Sequence, residues 1–463
     1  MAESERLRQE EAASEHELEE MGYKQQLKRA LTIPDMIVYG LIFMVPIAPF
    51  GIYGGVFNDS NGMPSLVYLI GMIAMVFTAL SYAALSEAFP VSGSVYGYVS
   101  RGINRHLGFF AGWTILMDYL LVPTLLYVVA AQAMSGLVPG VPAIAWAIVF
   151  IAINTIVSFV GIEFTAGVNK VALAAELVVL AIFVVMGVHA IATSDALSFT
   201  SRPFYNPDGF SLNVVMGAVS LGVLSFLGFD GISTLSEEAK DAKRGPGRAT
   251  VCALFIVGAL FMLQTYVAGC LDPTGASFAD DPDNAFYLVA QIAGGNFLYA
   301  LCAVATAISW GIFNALAAQT ALSRILFAMG RDGMLPKPLA RVHERFKTPY
   351  VAIVFVAVAS LILVAVFNSL GIDAISRLVN FGALTSFMLL NVTVIYHFFV
   401  KERTGRVIRH LILPLVGLLI TAYVWVSLEP QAKILGLIWI AIGVVYYLVL
   451  YFGFKRRDTS LEV

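Results

Sequence analysis

Two apolar segments of this chain, Ile33–Phe57 and Leu212–Leu235, are each long enough to cross a bilayer, and each is interrupted near its middle. Pro46 and Pro49 break the first; Gly222 and Gly228 loosen the second, which also carries Asp230. Hydrocarbon offers no hydrogen bonds, so a crossing segment must satisfy its backbone within a continuous helix. Two spans that abandon this near mid-depth point to amides and carbonyls presented to a solute, as expected of a secondary transporter.

The rest of the chain also belongs in a bilayer. Of its 463 residues 59% are hydrophobic and only 13% charged, with a mean hydropathy of +0.82, beyond what a soluble core needs. Apolar runs of about 20 residues, enough to cross about 30 Å of hydrocarbon, occur at 33–57, 65–89, 107–137, 142–160, 168–191, 212–235, 250–270, 296–329, 349–367, 372–399, 410–428 and 433–454. They predict an all-α integral membrane protein of twelve spans. Lys and Arg collect in alternate connections: Lys24–Arg29, Arg101, Arg105, Lys170, Lys240–Arg248, Arg331–Lys347, Lys401–Arg409 and Lys455–Arg457. The opposite side carries little beyond Arg202, Arg377 and Lys433. The positive-inside rule then puts both termini in the cytoplasm of a multi-pass protein of the cell membrane. The acidic start lacks the pattern of a cleaved signal peptide.

The broken spans are the first and the sixth, five apart. Five spans reverse orientation, so spans one to five and six to ten are expected to form two inverted five-helix repeats, with the broken helices at the centre. The expected organisation is a cytoplasmic tail over 1–30, a transport core over 31–401, and helices eleven and twelve with a cytoplasmic tail over 402–463. The last two helices serve as a support or as a homo-oligomer contact. The acidic connection Asp272–Gly295 reads as a solvated loop or as a cover over the outer vestibule.

Candidate binding groups follow from the breaks. Pro46, Ile47, Ala48 and Pro49 remove two amide donors within four residues and free nearby carbonyls, which can receive an ammonium group; free amides of the continuing half-helix can receive a carboxylate. In the sixth span Phe226 and Phe229 flank Gly228, able either to close over an aliphatic chain or to pack in the core. Asp230 caps the broken helix or touches the solute, since an unpaired carboxylate at that depth is costly. Asp118, with Tyr119 beside it, lies inside the third span. Glu176, central in the fifth, is either a proton-coupling group, because desolvation favours its neutral form, or a paired acid. Asn314, Asn380 and Asn391 offer hydrogen bonds between helices.

Other classes fit less well. A channel needs a polar lining or a selectivity ring, and an enzyme needs convergent catalytic groups; the scattered acids and the six unclustered histidines provide neither. Cys252, Cys270 and Cys302 match no metal-ligand or disulfide spacing, no cofactor is implied, and the basic connections do not indicate a nucleic-acid partner. The expected partners are a small-molecule substrate, a coupling proton and membrane lipids.

Three stretches together carry a resemblance: Ser225–Asp230 followed by Thr234–Glu238, Ser86–Pro90 leading into Ser92–Val99, and Arg324–Pro336 with Arg331, Asp332 and Gly333. On these the chain resembles the amino acid–polyamine–organocation superfamily of secondary transporters, over roughly Lys28–Lys401. Gly112-Trp113, Leu116–Pro123 and the Pro46–Pro49 region are most similar to its bacterial putrescine importers. The resemblance implies the inverted-repeat core and an amine or amino acid as substrate. Proline in place of the usual Gly-rich first-span motif leaves fewer amides for a carboxylate, which tilts the expectation toward a cationic amine; neutral amino acids and exchange are the alternatives. Some proton-coupled relatives have Lys near the position of Glu176, so their mechanism does not transfer to this acid.

Overall fold

The first helix begins where Thr32 and Asp35 close a capping box: the Thr32 hydroxyl accepts from the Asp35 amide while the Asp35 carboxylate accepts from the Thr32 amide at 3.2 Å. It ends at Met44, because Val45 precedes a proline and is pushed out of the helical region. From this start the chain is helical throughout its apolar runs in the computed structural model, which describes residues 31–449 apart from 90–93, 161–165, 237–238, 332, 347 and 368–371. The tails over 1–30 and 450–463, and Glu163, Glu237, Glu238 and Asp332, lie outside the described residues.

The fold is an all-α, multi-spanning bundle. Among the described residues eleven helices are long and apolar enough to cross a membrane, and the bent pair Ile33–Met44 and Pro49–Asp59 passes as a twelfth when counted as one span. Spans two to five are Pro64–Ala88, Arg105–Leu137, Ala143–Val160 and Ala166–Thr193. Span six is Leu212–Gly222 followed by two tight 3-10 segments, Val223–Phe226 and Phe229–Leu235; span seven is Gly245–Leu271. Span eight is the part of the helical stretch Ala285–Arg331 that follows a kink at Gly294 and Gly295, with a π-helical turn, Ser309–Asn314, inside it. Spans nine to twelve are centred on Tyr350–Phe367, Ile372–Val394, Leu413–Val426 and Pro430–Leu448. The one β feature among the described residues is a single parallel bridge between Leu31 and Ala239.

Burial sorts the spans. Span three has 89% of its most apolar window inside the protein, span twelve only 17%. Ile156, Val185, Leu419 and Val445 are more than half exposed, a band that water would not tolerate and lipid does. Spans eleven and twelve brace the bundle from outside. Trp113 of span three and Trp439 of span twelve each donate an indole N–H to the other's carbonyl at 2.8 Å, with rings stacked 4.9 Å apart. Polar contacts gather at two opposite rims. Arg377 pairs with Asp59 at 2.7 Å and with Glu429 on one; Lys170 pairs with Asp35, and Arg409 with Glu87, on the other.

The connection 272–295 is not simply solvated. It carries the helix that begins at Ala285 and bends at Gly294 and Gly295. Phe286 on that helix stacks on Phe50 of span one with centroids 3.9 Å apart and lies 4.6 Å from Phe183. The first turn of the connection is fixed by Asp272, whose carboxylate accepts from Thr274, Gly275, Ala276 and Ser277. Burial pushes that carboxyl up, but the hydrogen bonds from Ser277 and its neighbours outweigh it and hold Asp272 below its ordinary value.

Candidate functional site

The two halves of span one meet at 58° across a four-residue break. Val45 sits at φ 51°, an uncommon backbone conformation for a β-branched residue. Pro49 has no N–H, and the Phe50 amide bonds to Ile47 instead, so the Pro46 carbonyl has no donor from its own helix. In span six the chain leaves the helix at Leu227, which is extended, and turns at Gly228 with φ 109°. A Cβ there would lie 2.0 Å from a ring carbon of Phe43 and 2.9 Å from its carbonyl oxygen. Only glycine allows both the angle and this approach of the two broken spans.

Span three passes beside both breaks. Asp118 and Tyr119 are buried, and Pro123, one turn on, supplies no N–H to the Tyr119 carbonyl. Gly382 of span ten holds the strand of chain around Asp118 tightly: a Cβ at 382 would come within 2.8 Å of the Thr114 carbonyl and 2.9 Å of the Asp118 amide. Tyr119 donates its hydroxyl to Asp230 at 3.1 Å. Asp230 itself stands in the first turn of the second 3-10 segment. Asp118 is different. Its Oδ1 is buried and has no hydrogen-bond partner among the described residues.

These elements enclose a cavity of about 50 Å³, room for a few waters. Phe43, Met44 and Ala48 of span one line it with Asp118, Tyr119 and Val122 of span three, and Leu227, Gly228 and Asp230 of span six. Trp310 and Asn314 complete the wall, and neither Lys nor Arg is among the lining residues. The π-helical turn of span eight aims these two side chains inward; such one-residue insertions recur at functional sites. The same turn sets Ser309 beside Glu176, whose Oε2 is buried and without a partner among the described residues. Toward one rim the way is filled by buried rings, Phe50, Tyr53, Phe183, Phe278 and Phe286.

Of the residues expected at a site, Ala48, Asp118, Tyr119 and Asp230 therefore come together. Pro46, Ile47 and Pro49 shape the break without lining the cavity, and the Pro46 carbonyl receives Gln264 Nε2 at 2.9 Å. Phe226 and Phe229 lie elsewhere: Phe226 packs with Tyr68 and Phe261, Phe229 with Tyr82 and Phe387. The rings at the cavity are instead Phe43, Tyr119 and Trp310. Glu176 stands behind the wall, next to Ser309 rather than in it. Trp310 and Gln264 were not singled out by sequence. A tryptophan within the apolar stretch of span eight and a glutamine in span seven were the available signals, and neither has a period that marks it. Among the described residues no group of three or more His, Cys, Asp or Glu is placed to hold a metal ion.

The sequence profile of amino acid permeases matches residues 30–454 of this chain. The chain is 31% identical over 444 residues to a low-affinity putrescine importer of Escherichia coli (strain K12), covering 94% of this chain and 97% of the importer. It is 27% identical to a branched-chain amino acid permease of Bacillus subtilis (strain 168), over 95% and 96% of the two chains. A methylthioribose transporter of the same organism is 26% identical over 94% and 95%.

Proposed function

The chain belongs to the amino acid permease family, and on that premise we propose that it is a proton-coupled importer of small organic amines, with putrescine the first candidate. Membership makes it a secondary transporter rather than an enzyme, and a multi-pass protein of the plasma membrane. The observation that carries the amine reading is the pair of carboxylates at one cavity with no cationic side chain in its wall. Asp118, with an oxygen free of partners, is the acceptor for an ammonium group. Asp230, already accepting from the Tyr119 hydroxyl, is the second and weaker one. Phe43, Tyr119 and Trp310 cover the methylene stem.

The helix pairings support the inverted repeat. Spans two and seven pack together, as do four and nine, while three packs on ten and five on eight. These are the pairs produced by a two-fold that relates each span to the one five later. We read the ring-filled side as the outside and the basic rim as the cytoplasm, with both termini inside. The structure then corresponds to an outward-closed state, and the small cavity widens when the repeats rock. Import of a cation gains about 2.3 kcal/mol per charge at 100 mV. Glu176 is the proton-coupling group, acting on the cavity through Ser309 and the π turn that carries Trp310 and Asn314.

Labelled putrescine uptake into proteoliposomes, with and without an acid-outside gradient, tests this. Accumulation that needs the gradient, and that loses this need in Glu176→Gln, is the expected result; accumulation indifferent to pH removes the coupling assignment. The similarity to a branched-chain permease favours a second reading, a neutral amino acid permease, which uptake of labelled leucine but not putrescine would select.

A further inference from the structure

Several helices of the bundle change their hydrogen-bond ladder, span three at Pro123 and span ten at the π segment Ile395–Lys401 among them, and in three spans one of the carbonyls so left without a backbone donor lies beside a buried carboxamide. In span one it is Pro46, for want of an N–H on Pro49. In span six the Val223 amide still reaches Val219, and the tighter 3-10 turn that follows skips Ser220. In span eight the Ala315 amide reaches back to Trp310 and also meets Ile312, which skips Gly311. Each of these three carbonyls is taken by a carboxamide from a neighbouring span. Gln264 Nε2 donates to Pro46 at 2.9 Å, Asn380 Nδ2 to Ser220 at 2.6 Å, and Asn154 Nδ2 to Gly311 at 2.8 Å.

The three side chains share two further properties. All are wholly buried, and the oxygen of each carboxamide has no partner among the described residues. A helix-association role does not predict that pattern. Asn391, also wholly buried, shows the contrast: like Gln264 with Leu260 it donates one turn back in its own helix, to Phe387, but it takes no skipped carbonyl of another span, and its oxygen receives Ser81 at 2.6 Å. We propose that Gln264, Asn380 and Asn154 are positioning residues of the transport cycle, each clamping the skipped carbonyl of one interrupted span. The free oxygen beside each clamp accepts a backbone N–H or a water when that span shifts. The transport part of this inference rests on the alternating-access reading above.

Gln264→Met, Asn380→Leu and Asn154→Leu remove the donor at similar volume, with Asn391→Leu as the matched control and Ala replacing any Leu variant that fails to assemble. Amide hydrogen exchange over 45–51, 220–226 and 309–316 reads each break without any solute. Uptake of labelled putrescine and leucine separates maximal rate from half-saturation. Each clamp variant should speed exchange at its own break about tenfold, lower maximal uptake by a similar factor and leave half-saturation within about threefold. Asn391→Leu should leave exchange at all three breaks unchanged. Unaltered exchange at the breaks, or an equal selective loss of maximal rate in Asn391→Leu, overturns the proposal. A wild-type protein that takes up neither solute overturns the transport reading instead, while the exchange comparison still decides whether the clamps hold the breaks.

Discussion

Spans one and six are both broken beside the same cavity, yet by different means. Span one is broken by covalent structure: two prolines within four residues withhold donors, and the halves part at 58°. Span six contains no proline. It unwinds through a 3-10 turn, an extended Leu227 and a left-handed Gly228, and Asp230 stands in the first turn of the segment that resumes on the far side. The first break would form in any surroundings. The second needs its neighbours, because Phe43 of span one occupies the space that any side chain at 228 would need.

The largest expected effect follows from that dependence. Gly228→Ala adds a Cβ into Phe43 at a left-handed position that costs an L-residue about 1–2 kcal/mol before the overlap is counted; uptake should vanish and the melting temperature fall. Normal uptake by this variant would show that the two breaks do not interlock. Next is Asp118→Asn. A hydrogen bond to a charged group contributes roughly 1.5–3 kcal/mol, so half-saturation for putrescine should rise about ten- to a hundredfold while that for leucine stays put. Asp230→Asn should cost less affinity and more stability, since that carboxylate already accepts from the Tyr119 hydroxyl.

Pro49→Ala sharpens the comparison from the other side. It restores an N–H that can reach the Pro46 carbonyl, so maximal uptake should drop severalfold and the loss caused by Gln264→Met should shrink in the double variant, a coupling read from a double-mutant cycle. The smallest effect is expected from Phe226→Leu. That ring packs with Tyr68 and Phe261 away from the cavity, so stability should fall by about 1 kcal/mol with putrescine half-saturation nearly unchanged.

The same division runs through what was legible beforehand. Asp118 stood out because an acid in an apolar run is rare, and the structure sets it at the cavity. Phe226 and Phe229 stood out only for flanking Gly228, and the direction of a ring near an unwound turn is not fixed by its sequence neighbours. The helix inside the connection 272–295 was hidden because its bend at Gly294 and Gly295 reads as an ending. Trp310 reached the wall through a one-residue π insertion, which shifts the facing of a helix without altering its hydropathy.

Hydrophobic length, donor chemistry and charge placement are local properties, and they alone determined that this chain crosses a membrane about twelve times in helices and that span one must break at Pro46–Pro49. Which side chains share a cavity, which carboxylate is satisfied and which is left open, and which amide takes each skipped carbonyl depend on atoms hundreds of residues apart. Those choices were made only when the spans packed, because burial leaves each polar group to find its partner on another helix.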